Sequence, residues 1–222
     1  MVDWLRRKIK RMLRREARDQ VRSAERRVER KVRSEARKKI KKAIDYKDAK
    51  KISGKMIKNF KKFKDSWEKD ADDPIQSVFH FLIGAYNYKK DPDVGSPMIS
   101  LVLTKKHQIK DSSSPSGYRL GPTDSNLIRH MCESPHTVIS YLGGTYEKDY
   151  KDFNEKKPVM HFLAKEQEDK KGKYVSVIIQ SGGKDLPTPV GLAKNKDGQW
   201  KIREFSSIAT DCRKPKSEEE DF

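Results

Sequence analysis

The sequence predicts an α+β protein: a long basic N-terminal helical arm, followed by a small domain of about three helices packed on a four-stranded antiparallel meander sheet. Three observations carry this reading. Residues 4–44 contain neither Gly nor Pro and consist mainly of Arg, Lys, Glu and Ala, all good helix formers. A strongly apolar stretch follows Asp73-Pro74, an N-cap residue with Pro at the first helical position. Four β-type runs, at 158–165, 174–181, 189–195 and 199–206, are separated by short links rich in turn formers.

In the arm, residues 1–45, Asp3 can cap the helix, and Glu25/Glu29 and Glu35/Lys39 lie four residues apart on an exposed face. Its apolar stripe winds around the helix and is only Ala and Val in the middle, which argues against a long heptad coiled coil; self-association through a shorter stretch of this helix stays open. Residues 46–69 carry Ile52, Met56, Ile57, Phe60, Phe63 and Trp67 at helical spacing among lysines, which predicts a connecting amphipathic helix docked on the domain. The domain spans 70–215, with helices after Asp73, at 96–103 and at 124–131, a Ser/Pro/Gly loop at 111–117, and the meander. Val175, Val177 and Ile179 form one fully apolar face of its second strand. An acidic tail, 216–222, closes the chain.

Charge divides sharply. Residues 1–69 hold 28 basic and 10 acidic side chains, and residues 70–222 hold 23 of each, so the net +18 lies in the first third. There is no run of roughly 18 apolar residues to span a membrane. Cys132 and Cys212 lie far apart with no C-x-x-C spacing, which excludes a disulfide scaffold and fits a reducing compartment. The charges between Trp4 and Leu13 exclude a secretory signal, and the acidic residues of the arm disfavour a mitochondrial transit peptide. These readings predict a cytoplasmic protein that can lie peripheral to a membrane.

The sharpest functional feature is the opening segment Trp4, Leu5, Arg6, Arg7, Lys8, Ile9, Arg11, Met12 and Leu13, with large apolar groups on one side and cations around them. That pattern fits an anionic membrane surface or an acidic protein partner. The same charge attracts nucleic acid non-specifically, although one aromatic offers little for base stacking.

Chemistry elsewhere is sparse. His130, Cys132 and His136 lack zinc-site spacing, and Gly182-Gly183-Lys184 joins two strands instead of opening a helix, so it reads as a hairpin turn. Tyr141 and His161, with Asp124, are the candidates for a pocket. The sequence thus predicts no catalytic residue, metal or cofactor. Its leading expectation is a non-enzymatic adaptor anchored by the arm; a ligand-binding or enzymatic pocket domain is the alternative, and non-specific nucleic-acid binding a third.

Several motifs lie in the domain: Ser140-Tyr141-Leu142-Gly143-Gly144-Thr145, Ser181-Gly182-Gly183-Lys184-Asp185, Gly198-Gln199-Trp200 and Arg213-Lys214-Pro215. With these the domain resembles an uncharacterised bacterial domain family of unknown function, over about residues 73–215. That resemblance implies no catalytic role. The order of helices followed by a curved meander is also similar, at the level of fold, to the nuclear-transport-factor-2-like superfamily, whose folds host enzymes and binding modules alike.

Overall fold

The computed structural model describes residues 49–219. Residues 1–48, with the segment Trp4 to Leu13 that the sequence singles out for binding, and the last three residues of the acidic tail lie outside the described residues.

The chain enters through β1 (Lys50–Ser53), runs extended, and turns into α1 (Phe60–Asp70). Asn59 starts this helix by accepting the Lys62 N–H at 3.1 Å. The single amphipathic helix expected over 46–69 is therefore corrected: only its second half is helical. Lys50–Ser53 pairs antiparallel with the first meander strand, Ile52 opposite Met160, and makes the sheet five-stranded instead of four-stranded. Phe63 and Trp67 dock in the core as the stripe predicts.

Helix α2 (Pro74–Lys90) forms as expected. The Asp73 carboxylate accepts the Ile75 N–H at 2.9 Å and Pro74 occupies the first turn, where its missing N–H is harmless. Twelve of its seventeen residues are buried, so it is a central helix with neighbours on every side. Replacing Asp73 with Ala is expected to lower stability by about 1 kcal/mol. Urea denaturation would read this, and an unchanged midpoint would show that the cap does not contribute.

Asp91-Pro92 repeats the same start signal for α3 (Pro92–Val102). A short hairpin, β2 (Gln108–Lys110) and β3 (Tyr118–Leu120), flanks the Ser/Pro/Gly loop, and α4 (Pro122–Glu133) and α5 (Thr137–Ser140) follow.

The meander is β4 (Val159–Gln167), β5 (Tyr174–Gln180), β6 (Thr188–Lys194) and β7 (Trp200–Glu204). Sheet order is β1-β4-β5-β6-β7, antiparallel throughout. Val175, Val177 and Ile179 are buried and alternate with half-buried Ser176, Ile178 and Gln180, as the period-two pattern requires. Their buried face, continued by Val190, Leu192 and Ile202, packs under α2 and is filled by large side chains such as Phe81 and Leu82. Among the described residues no helix is long and apolar enough to cross a membrane.

Because β1 and α1 belong to this folded unit, the charge boundary moves. Residues 1–48 carry 20 basic and 8 acidic side chains, and residues 49–222 carry 31 and 25. The folded unit is thus basic by six, not neutral, and the difference is a set of exposed lysines from Lys50 to Lys69.

Candidate functional site

The motif residues converge at one node where the β5–β6 turn meets the segment after α5. The Gly182 N–H donates to Ser140 O at 2.7 Å and the Tyr146 N–H donates to Gly182 O at 2.9 Å. A relay runs from the Gly183 N–H to Ser181 Oγ (3.0 Å), from the Ser181 hydroxyl to Ser140 Oγ (2.7 Å), and from the Ser140 hydroxyl to Thr137 O (2.7 Å). Each buried hydroxyl has both a donor and an acceptor role filled, the condition under which such chains rigidify a core.

The glycines are required sterically. A Cβ on Gly182 would lie 2.2 Å from Gly144 O, and one on Gly183 would lie 2.3 Å from the Tyr150 hydroxyl. Tyr150 itself sits at φ 59°, a left-handed conformation that a bulky side chain rarely adopts. Its hydroxyl donates to Arg213 O at 2.6 Å and its ring stacks on His136 at 4.5 Å. Arg213 pairs with Asp185.

Lys184 closes the node. Its ammonium donates to Thr210 Oγ1 at 2.7 Å and to the carbonyls of Ser207 and Ile208, and lies 5.2 Å from the Tyr141 ring centre. Burial lowers its pKa to about 8. With three oxygen acceptors engaged, Lys184 fastens the segment after β7; the turn joins β5 to β6 as the hairpin the sequence predicts, and in the fold it also acts as a brace.

Tyr141 and His161 are not brought together. Tyr141 is fully buried with its hydroxyl 2.7 Å from the Thr188 hydroxyl, and burial pushes its pKa up. His161 is exposed on β4, opposite Lys51 and Gln180. Asp124 pairs instead with His107, whose Nδ1 lies 2.9 Å from the carboxylate and whose Nε2 donates to Arg203 O at 2.9 Å. That pair ties the turn after α3 to β7 and α4. The sequence gives no sign of it, since His107 and Asp124 fall on separate elements.

Cys132 is a core thiol. It donates to Ala85 O at 3.4 Å, and burial raises its pKa to about 12, far from a reactive thiolate. His130 is exposed beside Glu133. Among the described residues no group of three metal-ligating side chains is present.

A cleft of about 560 Å³ opens between the β6–β7 hairpin and the segment from α3 to β2. Leu101, Leu103 and Ala193 supply apolar wall, and Tyr118 reaches it from β3. Lys105, Lys194, Lys196 and Lys201 face it with one carboxylate, Asp197. The turn is internally satisfied: Asn195 Oδ1 accepts the Asp197 and Gln199 N–H groups at 3.0 and 2.8 Å. Lys201 is the unusual member. Half-buried, it donates to Leu101 O at 2.6 Å and lies 3.9 Å from the Trp67 ring centre. Burial lowers its pKa to about 8, against weaker attraction from Glu68 and Asp197. The Thr104 hydroxyl, also in the wall, is buried and has no hydrogen-bond partner among the described residues.

No curated protein and no solved structure matches the chain. The family model of a domain of unknown function, DUF6935, matches residues 55–216, which takes in α1, the turn node and the Lys201 cleft. That match spans most of the 222 residues, and the chain belongs to the DUF6935 family.

Proposed function

We propose that the protein is a non-catalytic accessory protein that attaches to an anionic membrane surface or an acidic partner through its basic N-terminal segment, with the folded unit as a braced platform. The observation that carries this reading is the charge partition: residues 1–48 are basic by twelve, and the large apolar side chains Trp4, Leu5, Ile9, Met12 and Leu13 stand among their cations. The exposed lysines from Lys50 to Lys69 continue that charge onto β1 and α1. Cations alone give salt-screened attraction to any polyanion, whereas the apolar groups add a term that salt does not screen.

The test uses the full chain, because a truncation at Asp70 would remove Phe63 and Trp67 from the core. Cosedimentation with phosphatidylserine vesicles and retention on duplex DNA are compared at low and physiological salt. Trp4→Ala with Leu5→Ala is expected to weaken vesicle binding roughly tenfold or more and to leave DNA binding nearly intact. Changing Arg6, Arg7, Lys8 and Arg11 together to Gln should weaken both. Equal vesicle binding by wild type and both variants would sink the proposal. Loss of DNA binding alone would instead favour a nucleic-acid role.

A further inference from the structure

We propose that the cleft between the β6–β7 hairpin and the α3–β2 segment binds a small organic anion, a carboxylate or phosphate carried on a flat apolar body. Its volume of about 560 Å³ lies in the range of small-molecule sites. Four ammonium groups against one carboxylate give it a strong positive bias. Leu101, Leu103, Ala193 and Tyr118 contribute apolar lining, so a ligand that is only charge would leave that surface uncovered.

One cation in the wall is incompletely matched by the protein itself. Among the described residues Lys201 has one oxygen acceptor, Leu101 O, although an ammonium carries three donors. An anionic oxygen in the cleft would accept from this ammonium and offset the burial of the cation. Lys105, Lys194 and Lys196 are exposed at the rim, where they steer an anion inward. The charged groups acting on Lys201 from its neighbours are Glu68 on α1 and Asp197 on the hairpin turn, and neither forms an ion pair with it. An anion therefore meets an ammonium that no carboxylate among the described residues has already claimed.

This site is independent of the N-terminal segment, and its test is arranged to be so. Titration calorimetry of the full chain is run with phenyl phosphate, benzoate and inorganic phosphate at constant ionic strength. Phenyl phosphate or benzoate is expected to bind at least about tenfold more tightly than inorganic phosphate, because the ring covers the apolar part of the lining. Which of the two binds more tightly identifies the head group. Lys105→Gln, an exposed change that leaves the core alone, should weaken binding roughly fivefold. Lys201→Met should weaken it further, and the wild-type affinity should fall between pH 7 and pH 9 as Lys201 loses its proton. Trp4→Ala with Leu5→Ala should change none of this. The proposal is overturned if neither aryl anion binds at 10 mM, if inorganic phosphate binds as tightly, or if Lys105→Gln and Lys201→Met both retain wild-type affinity.

Discussion

Gly95→Ala is expected to abolish cooperative folding, the largest effect of any single methyl group in this protein. A Cβ at that position would lie 2.0 Å from the Tyr88 backbone nitrogen and 2.2 Å from its Cα. Real carbon atoms do not approach backbone so closely, and backbone cannot rotate aside as a side chain can. The only relief is to separate α3 from α2, and α2 is the central helix, with twelve buried residues and Gly84 packed against Ile99 of α3. Overpacking normally costs about 1–3 kcal/mol; a clash shared by two helix backbones exceeds that, and small domains hold only about 5–15 kcal/mol in total. Gly182→Ala is expected to behave similarly, because its Cβ would meet Gly144 O and break the node that joins the two glycine motifs. Gly198→Ala supplies the contrast: nothing lies within 4 Å of the added methyl, so only its φ of 78° opposes the change. Circular dichroism with urea denaturation would compare the three. A wild-type midpoint for Gly95→Ala would show that α2 and α3 slide apart freely and that the close crossing is not required.

Legibility in the sequence followed the length of the pattern. Helix α2 and the four meander strands were readable because Asp73-Pro74 states a start and Val175, Val177 and Ile179 state a face over several residues. Strand β1 was not, because four residues show little alternation and Ile52 also fits the helical spacing of Met56, Phe60 and Phe63. The one available signal was Ser53-Gly54, a helix breaker; Gly54 lies where a Cβ would sit 2.8 Å from the Phe79 ring, so it marks a close approach of the chain to α2. The β2–β3 hairpin was hidden by the same shortness, its three-residue strands flanking a loop whose composition dominates the window. Pro97, which argues for a break, sits inside α3 and masked its start at Asp91-Pro92.

The candidate site divides in the same way. Ser140, Gly144, Ser181 and Gly182 stood out as motifs, and they meet at one node, but as a brace. The Lys201 cleft had no local signature. Its walls come from 101–108, from Tyr118 and from 193–201, and Lys201 reads in sequence as an ordinary surface lysine between Trp200 and Ile202. Only the placement of Trp67 and Leu101 beside it, a product of α1 and α3 packing, makes its charge costly.

That cost shapes the expected pH dependence of stability. Lys184 and Lys201 both have pKa values lowered to about 8 by burial, against an ordinary 10.5. Between those values the unfolded chain holds protons that the folded chain has released, so stability rises with pH across the window. For Lys201 the full effect is on the order of 3 kcal/mol; Lys184, more exposed, acts in the same direction with less weight. Other groups oppose this at higher pH. Burial raises the Cys132 thiol from 9.0 to about 12, so its unfolded form ionises first and stability is lost above pH 9. Tyr86, raised from 10.0 to about 12, and Tyr141 and Tyr150, also raised by burial, add the same loss above pH 10. The expected profile climbs from pH 8, peaks between 9 and 10, and falls beyond. Urea midpoints at pH 7, 8, 9, 10 and 11 would trace it. Lys201→Met should flatten the climb without lowering stability at pH 7, because an apolar side chain of similar volume replaces a poorly compensated buried charge. A midpoint that falls steadily from pH 7 to 9 would mean that neither ammonium is held against its own burial, and the Lys201 cleft would lose its electrostatic rationale along with the profile.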